Sequence, residues 1–158
     1  GFLLFVTTLG FGYSLLAGAL TLSIMILPVN MRTTEEALLS VPDSYREGSY
    51  GLGAGKLRTI FKIVLPAAVP GILAGVILAV GRIVGETAAL IYTAGSVAQI
   101  PDLMGSGRTL SVHLYALWTE GLNTNQSYAT AVVLLLMVSG INTLSSSIAK
   151  RLERGKTK

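Results

Sequence analysis

Two charged side chains stand inside an apolar stretch: Arg82 and Glu86, in the run GRIVGETAALIY of residues 66–92. A guanidinium presents a planar fork of N–H donors that suits an oxyanion, and a carboxylate one helical turn away weakens the positive field around it. Their spacing puts both on one side of a helix. At 1.5 Å per residue, about 20 residues cross a hydrocarbon core of about 30 Å. Residues 71–92 satisfy that length, which places Arg82 near mid-span. An arginine at that depth costs at least about 2.5–3.5 kcal/mol, so it requires a partner, a water-filled cavity or a ligand. At helical spacing Gly71, Gly75, Leu78, Arg82, Gly85, Glu86 and Ala89 share one side, while Leu73, Val76, Ile77, Val80, Val84 and Ile91 share the other. The first side admits close neighbouring helices and the second suits lipid. Two readings of the pair stay open. It is a fixed positive charge on the path of an anion, or an ion pair that locks helix packing.

Other chemistry is sparse. The 158 residues contain no cysteine, which excludes disulfides and thiolate metal sites. The lone His113 has no companion at a metal-ligand spacing and reads as a surface or interfacial side chain. No nucleophile, base and orienting group can be assembled, so no catalytic residue, metal or cofactor is expected and the chain does not read as an enzyme. The glycine-rich GLGAGK at 51–56 invites a phosphate-loop reading, but Tyr50 holds the first glycine's place and Leu57 that of the hydroxyl residue. Nor does a strand precede it, which excludes a dinucleotide fingerprint.

The elements that must position Arg82 are helices. With 51% hydrophobic and 13% charged residues and a mean hydropathy of +0.65, the composition is that of an all-α integral membrane protein. The chain starts at Gly1 without a charged leader and reads as one whose N-terminal part is missing. Residues 1–9 read as the tail of a preceding helix, interrupted at Gly10 and Gly12. A first span is expected at about 13–29, ending at Pro28, with a single longer tilted helix as the alternative. Residues 30–65 form a water-facing loop. In it Thr33 and Glu36 have the spacing of a capping box, SVPDSYREGSY reads as a short helix, Gly51, Gly53 and Gly55 break it, and 56–65 turn helical again. A second span is expected at 67–92 and a third at 128–149. The loop between them, 93–127, holds a short helix that Tyr115 and Trp118 would lay at the headgroup level.

Net charge is +4, yet the bases do not read as a nucleic-acid surface. Five Lys and Arg fall in 30–62, one in 93–127 and five in the tail after the last span. By the positive-inside rule the first and last regions are cytoplasmic and the middle one is extracytoplasmic. Two spans separate the basic regions, as that topology requires.

Residues 46–66, REGSYGLGAGKLRTIFKIVLP, resemble the cytoplasmic EAA signature of ABC importer permeases of the MetI-like superfamily. Glu47, Gly48 and Ser49 stand for the triplet, Gly53 for the glycine after it, and Ile63, Leu65 and Pro66 for the closing Ile-x-Leu-Pro. Glycine and serine replace the triplet's alanines. Further runs, TTEEALLSVPDSYREGSYGLGAGK, LPAAVPGI, GRIVGETAALIYTAG and LSVHLYALW, are similar to the A-type permease subunits of the Pst phosphate importers. The resemblance implies a non-catalytic permease subunit in the cell membrane, forming a translocation path with a second permease subunit. It implies ATPase subunits that bind the ATP and dock on the 46–66 loop, and an extracytoplasmic phosphate-binding protein. Path arginines fall, by motif, on Arg82 and on Arg32 after the LPVNM turn, with Glu86 beside the first. Other oxyanions, such as sulfate or molybdate, and a purely structural membrane subunit remain alternatives.

Overall fold

The structure, a computed structural model, describes residues 1–121 and 123–154, with side chains through Ile148. All regular elements among these residues are helical. After a π-helical segment, Phe2–Thr8, come α1 (Leu15–Leu39), α2 (Asp43–Gly51) and α3 (Lys56–Thr59). A second π-helical segment, Ile60–Val64, carries α3 without a break into α4 (Leu65–Gly85). The single turn α5 (Ala88–Ile91), then α6 (Leu110–Glu120) and α7 (Thr124–Arg154), complete the order. Among the described residues three helical stretches are long and apolar enough to cross a membrane: Leu15–Leu39, Lys56–Gly85 and Thr124–Ile148.

The first of these corrects an expectation. The helix does not end at Pro28 but runs through it to Leu39. Proline removes one intrahelical hydrogen bond and crowds the preceding turn, yet packing further along α1 holds the helix together. Ala37, Val41, Val64 and Ala68 form a buried cluster, with Leu38 and Ile72 against it. Thr33 is therefore no helix cap. It lies mid-helix, its hydroxyl donating to the Asn30 carbonyl at 3.2 Å, and Glu36 accepts from Arg32 Nε at 3.3 Å instead of reaching a free amide. The basic tail is helical to Arg154, while Lys156 and Lys158 lie outside the described residues.

The described residues divide into two compact units. One comprises Gly1–Leu27 and Val80–Ile141. Here α1 begins on donors that the later loop satisfies: the amides of Ser14, Leu15 and Leu16 donate to the carbonyls of Thr93, Gly105 and Leu103 at 3.0, 3.1 and 3.1 Å. The Ser14 hydroxyl caps the amide of Ala17 at 3.2 Å. The first three amides of α1, and that of Ser14 just before it, thus find partners that an isolated helix end lacks. Leu22, Leu90, Ala94 and Val112 form this unit's core. The other unit contains Pro28–Ala79, where α1 and α4 pack through small residues. A Cβ on Gly71 would come within 2.8 Å of Ala37 Cβ, and one on Gly75 within 2.6 Å of Thr33 Oγ1. Those two glycines admit the close helix approach expected of their stripe, and Leu78 on the same stripe does not: it is 72% exposed.

Candidate functional site

The apolar run around Arg82 is continuous in sequence but not in backbone. α4 stops at Gly85, and helix resumes only at Ala88. This replaces the unbroken span expected to Tyr92 and moves Arg82 from the middle of a span to the last turn of one. The physical reason lies in the residues at the break. Gly85 has the highest backbone entropy to lose in a helix, and Glu86 and Thr87 both satisfy backbone groups locally rather than continuing the ladder.

A broken helix in an apolar stretch must account for every freed amide and carbonyl, since lipid offers none of them a partner. Here the account is nearly local. The Glu86 amide donates to the Ile83 carbonyl at 3.1 Å, and the Glu86 carboxylate accepts the amide of Ala89 at 3.3 Å. The Thr87 hydroxyl donates to the Gly85 carbonyl at 3.3 Å. From a different element, the buried Ser111 hydroxyl donates to the Glu86 carbonyl at 2.9 Å. Ser111 is held in turn at the first turn of α6, beside Thr109, whose hydroxyl caps the Val112 amide. The break is thus built and braced.

Glu86 therefore anchors the first turn of α5. Arg82 is exposed on α4 and, among the described residues, has no hydrogen-bond or ion-pair partner; of the two readings left open for the pair, the ion pair between Arg82 and Glu86 is not formed. Its position at a helix C-terminus suits a cation, because the last carbonyls carry partial negative charge. A hollow of about 520 Å3 opens beside the break, lined by Gly85, Thr87, Ser111, Tyr115, Trp118 and Ser127 among others. Arg82 and Glu86 do not line it. His113 is half-buried, and its Nδ1 is buried without a partner among the described residues.

Arg32 belongs to the other unit. Its side chain is 82% exposed and pairs with Glu36, one turn along α1. Exposed pairs of this kind add little stability and exchange readily.

The segment resembling the EAA signature folds as two short helices about a turn. Glu47 and Gly48 face solvent on α2, Ser49 is buried on it, and Gly53 ends the element with φ +79, a conformation that favours glycine. Ile63 lies in the second π-helical segment, and Leu65 and Pro66 open α4. Two residues that the sequence did not single out hold this segment in place. Thr59, fully buried, shares a 2.8 Å hydrogen bond with Ser49. Arg46 donates to the carbonyls of Leu38 at 2.9 Å and Val41 at 3.2 Å, and to the Asp43 carboxylate at 2.6 Å. Of these, the i,i+3 spacing of Asp43 and Arg46 on α2 is a sequence signal for the carboxylate contact alone.

All of residues 1–158 match the family described as the inner membrane component of binding-protein-dependent transport systems. The chain belongs to that family. Among curated relatives of this inner membrane component, the phosphate transport system permease protein PstA of Mycobacterium leprae is 41% identical over 148 residues, covering 89% of this chain and 48% of the relative. PstA 1 of Mycobacterium tuberculosis (strain CDC 1551 / Oshkosh) is 39% identical over 152 residues, 93% of this chain and 50% of its own. The probable ABC transporter permease protein YqgI of Bacillus subtilis is 38% identical over 136 residues, 77% and 46% of the two chains. The chain thus spans about half the length of the curated relatives it matches. No solved structure matches it.

Proposed function

We propose that this family member is the transmembrane permease subunit of an ATP-driven phosphate importer in a bacterial or archaeal cell membrane. It forms the translocation path with a second permease subunit, is driven by ATPase subunits that bind and hydrolyse the ATP, and receives phosphate from an extracytoplasmic binding protein. The observation that carries the reading is Arg82: a guanidinium without a partner among the described residues, at a braced helix break inside an apolar stretch. Broken helices at membrane depth are characteristic of solute sites, because irregular backbone survives there only where it is buried in protein or lines a cavity. The phosphate transport names of relatives near 40% identity support the choice of anion.

In this reading Arg82 supplies the donor fork that an incoming phosphate meets, and Arg32, which pairs with Glu36, is a second candidate positive charge on the path. Glu86 limits how tightly the anion is held. The alternative, a structural membrane subunit with Arg82 in a packing salt bridge, would be favoured by uptake that survives Arg82→Gln alongside a loss of complex stability.

The test is reconstitution of the full-length protein with its second permease and ATPase subunits in proteoliposomes. ATP hydrolysis should rise on adding phosphate-loaded binding protein, and labelled phosphate should accumulate in the lumen that receives it. Sulfate and molybdate in excess should not compete. Competition by either would transfer the assignment to that anion, and hydrolysis without solute movement would end the transport reading.

A further inference from the structure

The 46–66 segment is tied to both of the helices it connects, and the ties are of unusual kinds. At one end Arg46 reaches from α2 back to the end of α1. Its two terminal nitrogens donate to the Leu38 carbonyl at 2.9 Å, a group that a helix terminus otherwise leaves to water, and to the Val41 carbonyl in the linker between α1 and α2 at 3.2 Å. Asp43 holds the guanidinium in that pose from one turn earlier on α2, at 2.6 Å. Arg46 is only 27% exposed while Asp43 is 82% exposed, so the pair is not a free surface ion pair: its cationic half is sunk into the joint. At the other end the buried hydroxyls of Ser49 and Thr59 meet at 2.8 Å. Thr59 also donates to the Gly55 carbonyl at 3.3 Å, which leaves Ser49 as donor to Thr59. The glycine turn between the two residues is therefore bypassed by a direct bond.

We infer that Arg46 is the positioning residue through which α2 moves α1, and that the Ser49–Thr59 bond does the same for the continuous helix from α3 into α4. A short helix joined to its neighbours only by glycine-rich turns would swivel when pushed. One hydrogen-bonded at both ends carries its neighbours with it. The serine in place of the triplet's alanine then has a function, namely to supply the donor that spans Gly51–Gly55. A planar fork suits the Arg46 site, since one side chain must satisfy two carbonyls and lean on a carboxylate at once.

The inference rests on the proposed function, because the motion to be passed on is that of the ATPase subunits. The test compares phosphate taken up per ATP hydrolysed in the full reconstituted complex, with assembly checked by co-purification. In complexes shown by co-purification to be assembled, Arg46→Gln should lower uptake per ATP at least about fivefold, the low end of couplings between linked elements. Arg46→Lys, which keeps the charge but reaches one carbonyl, should fall between, and it is the decisive variant if the glutamine form fails to assemble. The double variant Ser49→Ala with Thr59→Val removes donor and acceptor together, so no buried hydroxyl is stranded, and it too should uncouple. Uptake per ATP equal to wild type in assembled Arg46→Lys and in the double variant overturns the inference. A wild-type complex that fails to move phosphate overturns the function instead, which keeps the two failures distinct.

Discussion

At Arg82 a full positive charge meets the partial negative charge of the last carbonyls of α4, and no side chain among the described residues closes the guanidinium off. A site of this kind attracts an oxyanion without a rigid cage around it. Arg82→Gln removes the charge and half the fork. The loss of about 1.5–3 kcal/mol of charge-assisted hydrogen bonding predicts phosphate uptake lowered by about 10- to 100-fold, measured as initial rate with assembly unchanged. Glu86→Gln should behave differently. Its amide oxygen still accepts from the Ala89 amide, so the break persists, but the negative charge is gone. The anion is then bound more tightly and released more slowly. Both the KM for phosphate and the maximal uptake rate should fall, whereas a role confined to structure would lower the rate alone.

Among the elements, the α1–α4 contact is the one set most sharply by residue size. A Cβ on Gly75 would sit 2.6 Å from Thr33 Oγ1 and 2.9 Å from its Cβ, too close for either helix to remain where it is. Gly75→Ala should cost about 1–3 kcal/mol, as overpacking does elsewhere, read as a lowered Tm of the detergent-solubilised protein. Adding Thr33→Ala should recover part of the loss. The close approach at Gly71 and Gly75 was legible from their helical spacing, as was the short helix at 43–51, because those signals are local. Three features were not. Helix α1 continues past Pro28 because distant packing by Ala37 and Val41 outweighs a local rule. The stop at Gly85 was not legible because one glycine and two polar residues inside a largely apolar run are compatible with a continuing helix, and the brace from Ser111 comes from another helix far along the chain. Ser49 was legible as a small residue but not as a donor, since its partner Thr59 lies beyond a glycine turn.

For the whole molecule, the distribution of Lys and Arg orients the proposed spans, and the lack of native cysteine in these residues makes that orientation measurable. Leu52, 91% exposed, lies in the base-rich loop, and Ile100, fully exposed, lies in the loop with one base. Leu52→Cys should react with a membrane-impermeant maleimide only after the cytoplasmic side is opened, and Ile100→Cys in intact spheroplasts. The reverse pattern would invert the topology. The capping of α1 bears on how the protein is made. Ser14, Leu15 and Leu16 find their acceptors at Thr93, Gly105 and Leu103. At about 5–20 residues per second those acceptors leave the ribosome several seconds after the helix they serve. Until then the insertion machinery holds a span whose leading donors have only water or headgroups to bond, so a nascent chain halted ahead of residue 93 should remain open to quality-control proteolysis at that end.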